Sequence, residues 1–151
     1  MRAVVQRVSR ARVMVGGDVV GEIGDGLLVL VGVATGDTES DADVLAAKVA
    51  GLRILPDGEG RMNRSVAEAR GAVLVVSQFT LLADVARGRR PSFTGAADPS
   101  VAEPLVARVT AGLEEAGLAV ARGRFGAHML VESVNDGPVT ILLEAAEGRI
   151  R

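Results

Sequence analysis

Residues 27 to 33 read Leu-Leu-Val-Leu-Val-Gly-Val, with no polar side chain anywhere in the run. Successive side chains of an extended strand point to opposite faces, so this strand is apolar on both faces and needs cover on both. It therefore belongs in the middle of a sheet, and the chain must supply material on either side of it. A second, largely apolar run over 72 to 79 predicts another strand. A length of 151 residues, at roughly 100 to 200 residues per domain, predicts that residues 1–151 form one domain around a single sheet.

The remaining pattern fills in that sheet. Residues 2 to 15 alternate, placing Ala3, Val5, Arg7, Ser9, Ala11, Val13 and Val15 on one face, so Arg7 shares a face with apolar neighbours. Gly16-Gly17-Asp18 signals a tight turn, with 19 to 23 as the returning strand of a hairpin. Thr38 followed by Asp41 resembles a capping box, and Ala42, Leu45 and Val49 repeat at helical spacing, so 38 to 50 is the first helix. Asp98 and Pro99 open the second, whose regular part is expected from Pro104 and whose stripe is Leu105, Val109, Leu113 and Ala116. Residues 52 to 55 read as a short edge strand. Residues 118 to 122, 129 to 134 and 139 to 144 read as three further strands, the last two joined by a turn. The expected fold class is α+β: one β-rich domain with an antiparallel-type, barrel-like sheet and two main helices.

Composition removes whole classes of chemistry. With no cysteine there is no disulfide, thiolate nucleophile or Cys-based metal site, and with one histidine, His128, no multi-imidazole zinc site. The expectation is an enzyme or binding protein without metal or cofactor. Lys+Arg 17 against Asp+Glu 19 gives a net charge of −2, so contact with a polyanion must be local. No DNA partner is expected. Phe79, Phe93 and Phe125 are the whole aromatic complement, too few for a platform stacking several bases. The longest apolar run, 27 to 34, is far shorter than the ~20 residues that span a bilayer, and arginines at 2, 7, 10 and 12 break any secretory-signal pattern. A cytoplasmic protein without membrane contact is expected.

Three segments carry polar groups where chemistry is possible. Ser77-Gln78-Phe79-Thr80-Leu81 closes an apolar strand with hydroxyl and amide groups, which serve either to satisfy local backbone or to form a rim of donors for an oxyanion. Asn135-Asp136-Gly137-Pro138-Val139-Thr140, taken alone, is a turn. Arg87, Arg89 and Arg90 crowd around Gly88 in a stretch without periodicity, 83 to 98, suiting either a solvated loop or phosphates. His128, with no second histidine and no cysteine, is assigned no chemistry.

Together, residues 1–8 (Met-Arg-Ala-Val-Val-Gln-Arg-Val), Ser77 to Leu81, residues 88–93 (Gly-Arg-Arg-Pro-Ser-Phe) and Asn135 to Thr140 resemble the D-aminoacyl-tRNA deacylase family in order and spacing over the whole chain. A sister family acting on L-aminoacyl-tRNA carries Pro-Gln-Ala-Thr where this chain has Ser77-Gln78-Phe79-Thr80, which favours the D-specific branch. The resemblance implies a homodimer whose active site is shared across the interface and which cleaves the ester between a D-amino acid and tRNA. By that resemblance Ser77, Gln78, Phe79 and Thr80 line the ester pocket, and Gly137-Pro138 is a cis peptide inserted into the partner's pocket as a wall against L-side chains. Glycyl-tRNA, lacking a side chain, escapes the wall. Arg7 would brace that loop, the alternative being an ordinary buried, paired arginine. Arg87, Arg89 and Arg90 would meet tRNA phosphates. An aminoacyl ester is already activated, and the neighbouring ribose 2′-OH assists water attack, so positioning and oxyanion donors suffice. Thr80 is read as a positioning group, since nothing in the sequence supplies a base to make it a nucleophile.

Overall fold

The computed structural model describes all residues, 1–151. Strand β1 (Arg2–Val15) runs through its centre and has neighbours on both edges. On one edge its first half pairs antiparallel with β3 (Gly26–Gly32), and its second half with β2 (Asp18–Ile23). On the other edge it pairs along its length with β8 (Leu130–Ala146). Beyond β3 the sheet continues through β6 (Ala72–Ser77) and β7 (Ala119–Arg122), while β9 (Arg149–Ile150) pairs with the end of β8. A separate two-stranded piece, β4 (Leu55–Pro56) and β5 (Met62–Arg64), lies off this sheet.

The sheet is mixed, which corrects the antiparallel-type expectation. β6 runs parallel to β3, and β7 parallel to β6, because each is reached through a helix that returns the chain to the same end of the sheet. Those helices are α1 (Glu39–Gly51) and α2 (Pro99–Glu115). They cover one face, where Val5, Leu27, Val29, Leu45, Val49, Val73, Val109 and Leu113 are fully buried. On the other face β2 folds over β6 and β7, enclosing Val8, Val13, Leu28, Leu74 and Val76. This contact is so close that a Cβ on Gly21 would stand 2.4 Å from the Arg122 carbonyl oxygen, so only glycine fits. The apolar strands are thus buried on both sides, and the sheet curls into a half-barrel.

Other boundaries moved for local reasons. The segment 129 to 144 is one strand, not two joined by a turn, since β1 keeps pairing with it on both sides of an irregularity. β6 ends at Ser77, and Phe79–Leu82 form a 3-10 turn. Burial along β1 does not hold one phase: Ala3 and Val5 are buried, then Val8, then Ala11 and Val13, so Arg7 falls at the change. Helix α2 is regular from Pro99. Pro104 lies early in it and forgoes only one N–H. Ala116 is its exposed cap, and Thr110 joins the buried stripe, its hydroxyl donating to the Val106 carbonyl at 3.1 Å.

The capping box at Thr38 is formed, and its carboxylate does more than cap. Asp41 is 2% exposed and accepts hydrogen bonds from the Thr38 N–H at 2.8 Å, the Thr38 hydroxyl at 2.9 Å and the Gly148 N–H at 2.9 Å. It thereby ties α1 to the β8–β9 turn. Burial alone would raise its pKa, but the bonds from Gly148 and Thr38 outweigh burial and hold the carboxyl below the usual aspartate range. A lowered native pKa stabilises the fold above the unfolded-state value and loses that effect as pH falls through the native one. We expect Asp41→Asn to cost about 1–3 kcal/mol at pH 7. Thermal unfolding should show the gap between wild type and variant narrowing below about pH 4, the usual aspartate range; a gap independent of pH would refute the assignment.

Candidate active site

Where β6 ends, the chain turns sharply across its neighbour. The Gln78 N–H still donates to the Val31 carbonyl at 2.7 Å, and the 3-10 turn begins at once. Gly32 on β3 permits this: a Cβ there would lie 2.8 Å from the Gln78 carbonyl oxygen and 2.5 Å from Leu82 Cδ2. Ser77, Gln78 and Phe79 are thereby presented to a cavity of about 610 Å³. Its floor is Val31, Val33 and Val76, and its far walls come from the start of α2 (Asp98, Pro99, Ala102) and from 125–129. Phe79 and Phe93 meet edge to face there, with ring centroids 5.1 Å apart. The first N–H groups of a helical turn have no carbonyl of their own helix to bond, which leaves those of Phe79 and Thr80 as donors at this corner. The Thr80 side chain is outside the cavity wall; the Gln78 side-chain amide donates to its hydroxyl.

A second feature lies on the β1–β8 ladder. Gln6 pairs with Thr140 and Val8 with Asn135, so Arg7 alone faces the four residues 136 to 139, which must bulge out. Within the bulge the Val139 N–H donates to Asn135 Oδ1 at 3.0 Å. Asn135 Nδ2 and Gln6 Nε2 both donate to Thr140 Oγ1 at 3.1 Å. Arg7 Nε donates to the Asp136 carbonyl at 3.0 Å and lies 3.2 Å from its carboxylate, while Nη1 donates to the Ile54 carbonyl at 2.8 Å. The Gly137–Pro138 peptide is cis, and Asp136, Gly137 and Pro138 are exposed. None of them, nor Arg7, lines the cavity of its own chain.

The stretch 83 to 98 is a loop pinched by paired backbone bonds between Asp84 and Ser92, at 2.8 and 2.9 Å. Arg87, Arg89 and Arg90 occupy its tip, exposed and without an acidic partner, with Gly88 at φ +73° making the bend. They do not line the cavity, but Phe93, directly beyond the pinch, does. Sequence reasoning passed over Phe93, Phe125, Asp98 and Met129 as cavity residues. One signal was present: in a chain with only three aromatic residues, all three converge on this cavity. His128 also lines it, exposed, and with Asp98 makes up the ionisable lining.

The family model described as D-Tyr-tRNA(Tyr) deacylase matches residues 4–144. A D-aminoacyl-tRNA deacylase of Symbiobacterium thermophilum is 63% identical over 145 residues, 96% of either chain. One of Deinococcus radiodurans is 58% identical over 144 residues, 95% of this chain and 99% of its own. Among solved structures, one described as c-Myc DNA Unwinding Element Binding Protein is 39% identical with a TM-score of 0.90, covering 97% of this chain and 99% of that one. A probable eukaryotic D-amino acid tRNA deacylase, 19% identical, shares the fold with a TM-score of 0.80 over 93% of this chain and 97% of its own. With the family model covering nearly its full length and curated relatives near 60% identity, this chain belongs to the D-aminoacyl-tRNA deacylase family of hydrolases.

Proposed function

We propose that the protein hydrolyses the ester linking a D-amino acid to the 3′ end of tRNA, releasing both, as a cytoplasmic proofreading step. The observation that carries this reading is the cavity at the end of β6, lined by Ser77, Gln78 and Phe79 where the 3-10 turn begins, in a chain of this family. In the proposed reaction water attacks the ester carbonyl carbon, assisted by the adjacent ribose 2′-OH. The carbonyl oxygen becomes an oxyanion held by the backbone donors of Phe79 and Thr80. The carbon–oxygen bond to the ribose then breaks, and the departing oxygen takes up the proton lost by the attacking water, relayed through the 2′-OH. Removing one such donor elsewhere costs about 2.7–4 kcal/mol, so two supply a large share of the acceleration without a strong base. Thr80 acts indirectly as a positioning residue: its hydroxyl accepts from the Gln78 amide and holds that side chain at the cavity.

The chiral filter is assigned to Gly137-Pro138, delivered from one protomer of a homodimer into the cavity of its partner. Two features support this: the bulge is exposed and absent from its own cavity, and β8 beside it shows uncovered apolar side chains, with Leu130 57% and Leu142 78% exposed. On this reading glycyl-tRNA is also cleaved and L-alanyl-tRNA refused. A non-catalytic nucleic-acid-binding dimer is the rival reading, and the DNA-binding name of the 39%-identical structure favours giving it a test.

The deciding experiment follows ester loss from matched D- and L-tyrosyl-tRNA. Rapid hydrolysis of the D-ester alone is expected; salt-sensitive RNA affinity with both esters intact would select the rival. Arg7→Lys keeps the charge but cannot reach two carbonyls with a fork. It should reduce the D-over-L ratio of kcat/KM about tenfold, a ratio insensitive to any loss of folded protein, and an unchanged ratio would return Arg7 to a purely structural role. Replacing Arg87, Arg89 and Arg90 together by Ala should make the salt dependence of tRNA binding shallower, by about 0.7 in log–log slope per phosphate lost, with kcat at saturation changing less. An unchanged slope would make them a solvated loop.

A further inference from the structure

The loop that closes the cavity opposite the 3-10 turn begins with an arginine not yet given a role. Gly123 follows β7 with its N–H donating to the Val75 carbonyl at 2.9 Å, and a Cβ there would stand 2.7 Å from Met129 Sδ, so the start of the loop is fixed against the sheet. The Ala127 N–H donates to the Arg124 carbonyl at 3.2 Å, and Gly126 at φ +72° completes the turn. Phe125 to Met129 all line the cavity. The Arg124 backbone is thus held at the rim, while its side chain is exposed and enters no hydrogen bond or ion pair. Arg122, two residues earlier, is by contrast ion-paired with Glu114 at 2.5 Å.

We infer that Arg124 takes the backbone phosphate that joins the last nucleotide of the RNA to the one before it, a reading that rests on the proposed ester substrate. The chemistry of that substrate leads to the same place. When an ester on the terminal ribose occupies a cavity edged by Phe125, the phosphate on the 5′ side of that ribose lies one sugar away, at the rim. A phosphodiester is always ionised, and a guanidinium offers it paired donors. No other arginine or lysine lies in the 123–129 loop, and the Arg87, Arg89 and Arg90 tip belongs to a different loop. The two sets would therefore grip different phosphates.

The test compares Arg124→Gln with wild type in two assays. Binding of uncharged tRNA should weaken about tenfold and its log–log salt slope should fall by about 0.7, one single-strand phosphate. In hydrolysis, KM for D-tyrosyl-tRNA should rise about tenfold with kcat little changed, whereas the D-tyrosyl ester of adenosine, which has no phosphate, should react identically with both proteins. Arg124→Lys should restore most of the RNA affinity. Unchanged tRNA binding, or equal losses on the tRNA and adenosine esters, would overturn the assignment. A wild type inactive on both esters would instead sink the proposed function, and the binding comparison would still decide Arg124.

Discussion

The register break opposite Arg7 is the constraint around which this molecule is organised. Strand β1 cannot stay in step with β8, because a single residue of one faces four of the other. Two consequences follow from that mismatch. The burial phase of β1 changes there, so that Ala3 and Val5 pack under the helices while Val8, Ala11 and Val13 pack beneath β2, and one strand serves both cores. The surplus residues of β8 are expelled as a bulge whose backbone groups need partners. Asn135, Thr140 and Gln6 satisfy it from within the ladder, and Arg7 from beneath, with its other arm on the Ile54 carbonyl.

Much of this was legible in the sequence, and the failures have physical causes. The two-faced apolar run at 27 to 33 correctly implied a central, doubly covered strand, and Thr38 with Asp41 correctly implied the start of α1. Strand direction went unread although its signals were present: runs apolar on both faces, separated by a helix that returns the chain, mark parallel pairing, whereas the alternating residues of β1 suggested an antiparallel sheet throughout. Asn135-Asp136-Gly137-Pro138 was read as a turn between two strands because turn and bulge draw on the same residues. What separates them is whether a third strand continues past the break, and that information sits in β1, more than a hundred residues away.

The site was legible only in part, for a related reason. Ser77, Gln78 and Phe79 could be singled out because polar groups interrupt an apolar run, but the opposite wall is built by Ala102, Phe125 and Met129, which are ordinary core-type residues in sequence. They line a cavity only because α2 and the 123–129 loop meet β6 in space. The motif therefore marked one wall of the candidate cavity, and its proposed meaning comes from the resemblance rather than from periodicity.

The distribution of charge fits an RNA ester better than a small free one. The chain is net negative, yet Arg87, Arg89, Arg90 and Arg124 stand exposed and unpaired in the two loops that contribute Phe93 and Phe125 to the cavity. Most other arginines are engaged: Arg2, Arg12, Arg53, Arg61, Arg108, Arg122, Arg149 and Arg151 all face carboxylates. Free cations near the mouth of a largely apolar pocket divide the work of recognition. On the proposed reading, phosphates outside would supply affinity that is blind to the amino acid, leaving the interior to judge the shape around the ester. That division matters because a soft apolar pocket separates ligands differing by one methylene by only about 1–3 kcal/mol. Discrimination beyond that would require a wall that does not yield, and the proposed filter meets that requirement in one respect: the bulge carrying Gly137 and Pro138 is tied down by the Arg7 fork, by Asn135 and by the shared Thr140 hydroxyl.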